Sequence, residues 1–143
     1  TEYSYGIRLR YSNYNNIYDN IVNNNEDGIR LEYNSDYNNI SGNTVSDNED
    51  GIRLDYNSNY NNISGNTVSD NENHGIYLYN GNNNIIWDNQ FIDNGYNHSA
   101  NAYEDFYSND NNWNEKNYET FRTILKSLKK KFELNFLRYE ELL

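Results

Sequence analysis

Residues 28–50 read GIRLEYNSDYNNISGNTVSDNED, and the stretch from Gly51 repeats them almost letter for letter, so the chain is built from copies of one unit. Registered on Gly-Ile-x-Leu, the copies open at Gly6, Gly28, Gly51 and Gly75, at spacings of 22, 23 and 24 residues. A unit this short, with apolar residues in alternating pairs, fits one turn of a β-solenoid; a helical-hairpin repeat runs to about 34 residues. Within the unit, a strand at Ile29-Arg30-Leu31 sends both apolar chains to one face and the arginine to the other.

Four apolar columns follow from the register: Ile7, Ile29, Ile52, Ile76; Leu9, Leu31, Leu54, Leu78; Ile17, Ile40, Ile63, Ile86; and Val22, Val45, Val68, Phe91. With neighbouring strands about 4.8 Å apart, like residues of successive turns stack and form the core. A fifth column, Asn20, Asn43, Asn66 and Asn89, is polar and is expected to form a ladder, each amide donating to one neighbouring turn and accepting from the other.

Composition alone would point to disorder, since roughly a quarter of the 143 residues are Asn, there is no Pro and mean hydropathy is -1.15. The fixed-register columns argue against it, and Asn, Asp and Gly instead supply the corners between short strands. A net charge of -11 without a basic stripe along the repeats excludes nucleic acid as a partner. With no Cys there is no disulfide or thiolate site, and no apolar run is long enough to span a membrane. The chain opens on Thr1 and not on Met, which fits removal of a leader or of upstream turns.

Taken in order, residues 1–118 read as about five turns of a single all-β domain. The first turn shows no capping element, so its open strand edge is a candidate surface for self-association. After Gly95 the register loosens. Laying NHSANAYE on NHGIYLYN gives a tapering fifth turn with Ala100 and Ala102 inward and Tyr103 beside Tyr79, closed by Trp113 as a plug. From residue 119 the pattern changes: Phe121, Leu125, Leu128, Phe132, Phe136 and Tyr139 recur at helical spacing, which predicts an amphipathic helix over 119–143. Two readings of it stay open: a cap or self-association helix, or a membrane-surface patch through Lys126, Lys129, Lys130 and Lys131.

The steps GIRL, NNISGNTVSDN and GIYLYNGNNNIIWDNQFIDN, closing on NNW, resemble the right-handed parallel β-helix repeats of the NosD-like group, related in fold to pectin and pectate lyases. The resemblance covers roughly residues 3 to 118. It implies a right-handed parallel β-helix, an extracytoplasmic location (periplasm, cell surface or exterior) and contact with sugars. The group includes a periplasmic protein linked to copper delivery and polysaccharide-active enzymes.

Copper needs soft or imidazole ligands, and the chain offers no Met, no Cys and only His74 and His98, which the alignment places on adjacent turns as a weak metal pair. A polysaccharide lyase or hydrolase needs a singular carboxylate pair or a base beside a bound cation. Here Asp47, Asp70 and Asp93, like Glu26, Glu49 and Glu72, recur as corner residues do, so no catalytic residue is assigned and no cofactor is called for. Sequons at Asn39, Asn62 and Asn97 fit an exported protein. On the outward face of the Gly-Ile-x-Leu strand, Arg8, Arg30, Arg53 and Tyr77 form one column and Arg10, Glu32, Asp55 and Tyr79 the next. Two expectations attach to it. The arginines pair with neighbouring acids, or Arg30, Arg53, Tyr77, Tyr79 and Tyr103 form a strip for a polysaccharide, rings under pyranoses and guanidinium groups toward hydroxyls or uronates. The resulting reading is a non-catalytic, structural and carbohydrate-contacting module, with an enzyme fragment or a copper-handling protein as alternatives.

Overall fold

The computed structural model describes residues 4–96, 101–105 and 108–113. Strands come in threes. The first turn holds β1 (Tyr5–Arg10), β2 (Asn16–Tyr18) and β3 (Ile21–Asn23), and the second β4 (Asp27–Glu32), β5 (Asn39–Ser41) and β6 (Thr44–Ser46). The third holds β7 (Asp50–Asp55), β8 (Asn62–Ser64) and β9 (Thr67–Ser69), and the fourth β10 (His74–Tyr79), β11 (Ile85–Trp87) and β12 (Gln90–Ile92). Then β13 (Ala102–Glu104) and β14 (Asn112–Trp113) begin a fifth. Each strand pairs in parallel with its counterpart one turn away, giving the sheets β1-β4-β7-β10-β13, β2-β5-β8-β11-β14 and β3-β6-β9-β12. The fold is therefore the expected all-β parallel solenoid, with four complete turns and part of a fifth among the described residues. The helix expected over 119–143 lies outside them.

The core is the four columns read from the sequence. Ile29, Ile52 and Ile76 pair in register and are fully buried, as are Leu31, Leu54 and Leu78 beside them. Ile40, Ile63 and Ile86 close the second side, Val45 and Val68 the third, and Phe91 and Trp113 pack against the end. Trp113 stands opposite Ile86, within the isoleucine column.

Left-handed backbone bends the chain between strands. In the second turn Tyr33, Asn34, Tyr37, Gly42 and Asp47 have φ of 53°, 58°, 56°, 65° and 56°. The glycine that opens each copy has a different reason. A Cβ on Gly28 would lie 2.6 Å from both the Gly51 carbonyl oxygen and Val45 Cγ1, so close approach, not a positive φ, demands glycine there.

In the fifth turn the register departs from the sequence alignment. Ala102 pairs with Ile76 and Tyr103 with Tyr77, two residues away from the expected match of Tyr103 with Tyr79. The connection after β12 is longer, and the alignment placed that slack on the wrong side of the strand. Ala102 is exposed, and Ala100 lies outside the described residues.

Candidate functional site

The long-strand sheet presents three outward columns. Alternation along β4 sends Ile29 and Leu31 inward and Arg30 and Glu32 outward; it breaks at Gly28, where a Cβ would point at Val45 in the core, so that Asp27 meets Arg30 on the outer face. Register then aligns Tyr5, Asp27, Asp50 and His74, and beside them Arg8, Arg30, Arg53, Tyr77 and Tyr103. The third column holds Arg10, Glu32, Asp55 and Tyr79.

Charge is neutralised within this face. Arg30 reaches Asp27 Oδ2 at 2.9 Å, Glu32 Oε2 at 3.1 Å and Asp55 Oδ2 at 2.8 Å, and its side chain is only 11% exposed. Arg53 lies 2.9 Å from Asp55, 3.2 Å from Asp50 and 3.8 Å from Asp27. Glu32 also pairs with Arg8, and with Arg10 at 3.6 Å. The acids are not exposed partners: Asp27, Glu32 and Asp55 are each at most 1% accessible. Ion pairs of this kind are unlike solvent-screened ones, because removing one partner leaves a buried charge.

Burial sets the electrostatics. It pushes the Asp27 carboxyl up to about 6, with Arg53 and Arg30 opposing only part of the rise. It raises Asp55 for the same reason. For Arg30 burial works against the charge, yet Asp55, Asp27 and Glu32 together hold its pKa above the usual arginine value. Asp27 Oδ1 and Asp55 Oδ1 accept no hydrogen bond.

Aromatic rings cover both ends of the network. Tyr5 lies under the guanidinium groups of Arg8 and Arg30, 4.5 and 5.2 Å from its centroid, and Tyr77 lies 4.9 Å from that of Arg53. The opposite face of Tyr77 stacks on Tyr103 at 5.1 Å, the planes 7° apart. His74 packs obliquely on both tyrosines, and its Nδ1 lies 2.8 Å from Asp50 Oδ1, so that nitrogen is the donor. Arg30, Arg53, Tyr77 and Tyr103 thus meet in one cluster, in which Tyr77 is flanked on its faces and Arg30 is bonded three ways. Tyr79, exposed, lies beside Tyr77 with ring centroids 6.5 Å and planes 6° apart, and makes a T-shaped contact with Tyr56. His98 and Asn97 lie outside the described residues.

Alternation found the arginine columns but missed Asp27, Asp50 and His74. Asp27 and Asp50 belong to the steps NNNEDG and SDNEDG, whose composition reads as a turn. Each stands immediately before the Gly-Ile-x-Leu glycine, and that fixed offset was the available signal.

Asparagines line all three corners of each turn. Asn20 Nδ2 donates to Asn43 Oδ1 at 2.9 Å, Asn43 to Asn66 at 2.9 Å and Asn66 to Asn89 at 2.8 Å. Two further columns do the same: Asn15, Asn38, Asn61 and Asn84, and Asn25, Asn48, Asn71, Asn94 and Asn101. The sequon residues Asn39 and Asn62 lie on neighbouring strands, joined by a bond of 2.8 Å from Asn62 Nδ2 to Asn39 Oδ1.

Residues 1–127 match the family described as Periplasmic copper-binding protein (NosD). The chain belongs to this NosD family. Comparison with curated proteins found no match, and comparison with solved structures found none. Family and solenoid together make it an extracytoplasmic β-helix protein. The copper of the family's description does not fit the donors here. The chain has neither Met nor Cys, and no group of three or more His, Cys, Asp or Glu side chains among the described residues is arranged to hold a metal. His74, the described imidazole, gives its Nδ1 to Asp50, and the carboxylates around it face arginines.

Proposed function

We propose that this NosD-family chain is a non-catalytic scaffold module of a periplasmic or cell-surface protein, a stiff rod that displays side chains at fixed spacing and contacts carbohydrate. The observation that carries the reading is the neutralised outer face of the long-strand sheet. Arg30 and Arg53 are each tied to three carboxylates, so the arginines are held for the fold and not for a uronate. A glycosidase needs two carboxyl groups open to the scissile bond from either side. Asp27, Asp50 and Asp55 face guanidinium groups instead, and their columns run from turn to turn as structural rungs do. Carbohydrate contact falls to the exposed aromatic side chains, Tyr79 and Tyr103 on this sheet among them. Incubating the protein with pectin, alginate and insoluble neutral glucans tests both parts. Retention on at least one glycan without unsaturated or reducing products is expected. Product release would make the chain an enzyme, and absence of retention across the panel would leave a scaffold without carbohydrate contact.

A further inference from the structure

The second sheet carries a feature of its own on the outside of β2, β5, β8 and β11. One outward column there reads Tyr18, Ser41, Ser64, Trp87, and the corner residues that follow read Asp19, Gly42, Gly65, Asp88. Large residues at both ends and small ones between leave an open trough along the solenoid axis. Its end walls are accessible rings, Tyr18 62% and Trp87 41% exposed, three rungs apart, or about 14 Å at the usual strand spacing. Trp87 is held leaning over β8, its Nε1 donating to Asn62 Oδ1 at 2.8 Å, and Ser64 on that strand is buried. The floor is open as well as small: a Cβ on Gly65 would approach nothing nearer than Gly42 N at 4.0 Å. The Asp19 carboxylate overhangs the first end, with Oδ1 2.9 Å from where a Gly42 Cβ would stand.

Two flat apolar faces, hydroxyl and amide groups between them and a carboxylate at each end suit a polyol with apolar ring faces. Among the described residues no Lys or Arg lines the trough, where a uronate would meet Asp19 and Asp88. We propose that this trough binds a neutral oligosaccharide running parallel to the solenoid axis, with pyranose rings on Tyr18 and Trp87 and hydroxyls toward Ser41 and the open backbone at Gly42 and Gly65. The proposal rests on the carbohydrate-contacting reading above and gives it a place and a ligand class. The trough arises where the repeat stops repeating: the near-identical second and third copies supply the floor, and the divergent first and fourth the walls.

The chain has two tryptophans, so Trp113→Phe leaves Trp87 as the sole indole reporter. Its emission is followed while neutral oligosaccharides of glucose, mannose, xylose and N-acetylglucosamine are added, beside oligouronates. Calorimetry on the unsubstituted chain reads the same affinities. A saturable change with at least one neutral series is expected, with oligouronates weaker. Ser41→Tyr places in the column a side chain it already carries at Tyr18; it should fill the trough and weaken binding at least tenfold with the melting temperature kept. Binding that survives Ser41→Tyr but is lost in Tyr79→Ala would overturn the site while leaving carbohydrate contact standing. Tighter binding of uronates at Trp87 would overturn the ligand class. Silence of Trp87 and of calorimetry to every series, with no retention on insoluble glycans, would remove the site and the reading together.

Discussion

Asp27 shows how one buried side chain ties the outer face to the stability of the rod. Its pKa in the fold, about 6, lies above the value of 3.8 for a free aspartate, because burial disfavours the carboxylate more than Arg53 and Arg30 favour it. A folded state that holds a proton the unfolded chain has released is favoured by acid. The Asp27 contribution therefore falls as pH rises from about 4 through about 6. Replacing it by Asn removes that dependence, so the stability of the native chain relative to Asp27→Asn should fall as pH rises from about 4 to about 6 and level off above that, as read from paired melts. A difference that stays flat across this range would show that Asp27 is ionised throughout. That alternation puts Arg30 outside was legible in the sequence; where its guanidinium goes was not. Outwardness follows from a two-residue period, whereas the choice among Asp27, Glu32, Asp55 and a ligand depends on rotamers and on register with the next turn.

Among the elements, the asparagine ladders hold the corners together. Asn66 Oδ1 accepts from both the backbone N–H and the side-chain amide of Asn43, and Asn66 Nδ2 donates to the Ile40 carbonyl at 3.0 Å and to Asn89. Asn66→Leu leaves the buried Asn43 backbone N–H without its acceptor and takes one donor from the Ile40 carbonyl, at roughly 1 to 3 kcal/mol for the unsatisfied N–H. A fall in melting temperature on the order of 10 °C is expected. Asn20→Leu should cost clearly less, since among the described residues no preceding turn donates to Asn20. Equal losses for the two substitutions would mean that the amides act singly and not as a ladder. The sequence singled out one of the three columns. Asn15 and Asn25, with their counterparts, sit in runs such as NYNN and NNNED, where Asn is already explained as a turn residue, so a paired amide there looks like any other corner. The fifth turn misled for a related reason. Without a Gly-Ile-x-Leu marker after Gly95, nothing in the residues says on which side of β13 the extra length falls.

As a whole molecule, the chain is close to one-dimensional: each turn contacts its neighbours through three parallel sheets, three amide ladders and four apolar columns. Stability then adds by turn and by interface, and a turn can be counted in or out without redesigning the rest. This is what a scaffold needs, and it explains why the near-identical second and third copies coexist with divergent first and fourth ones that shape the surface. The most direct test inserts one further copy of residues 28–50 after Asp50 and measures thermal unfolding. If each copy is one turn, the lengthened chain should unfold in a single transition at a melting temperature equal to or above that of the parent. A lower melting temperature, or loss of the cooperative transition, would contradict the solenoid register on which the fold, the neutralised face and the trough all depend.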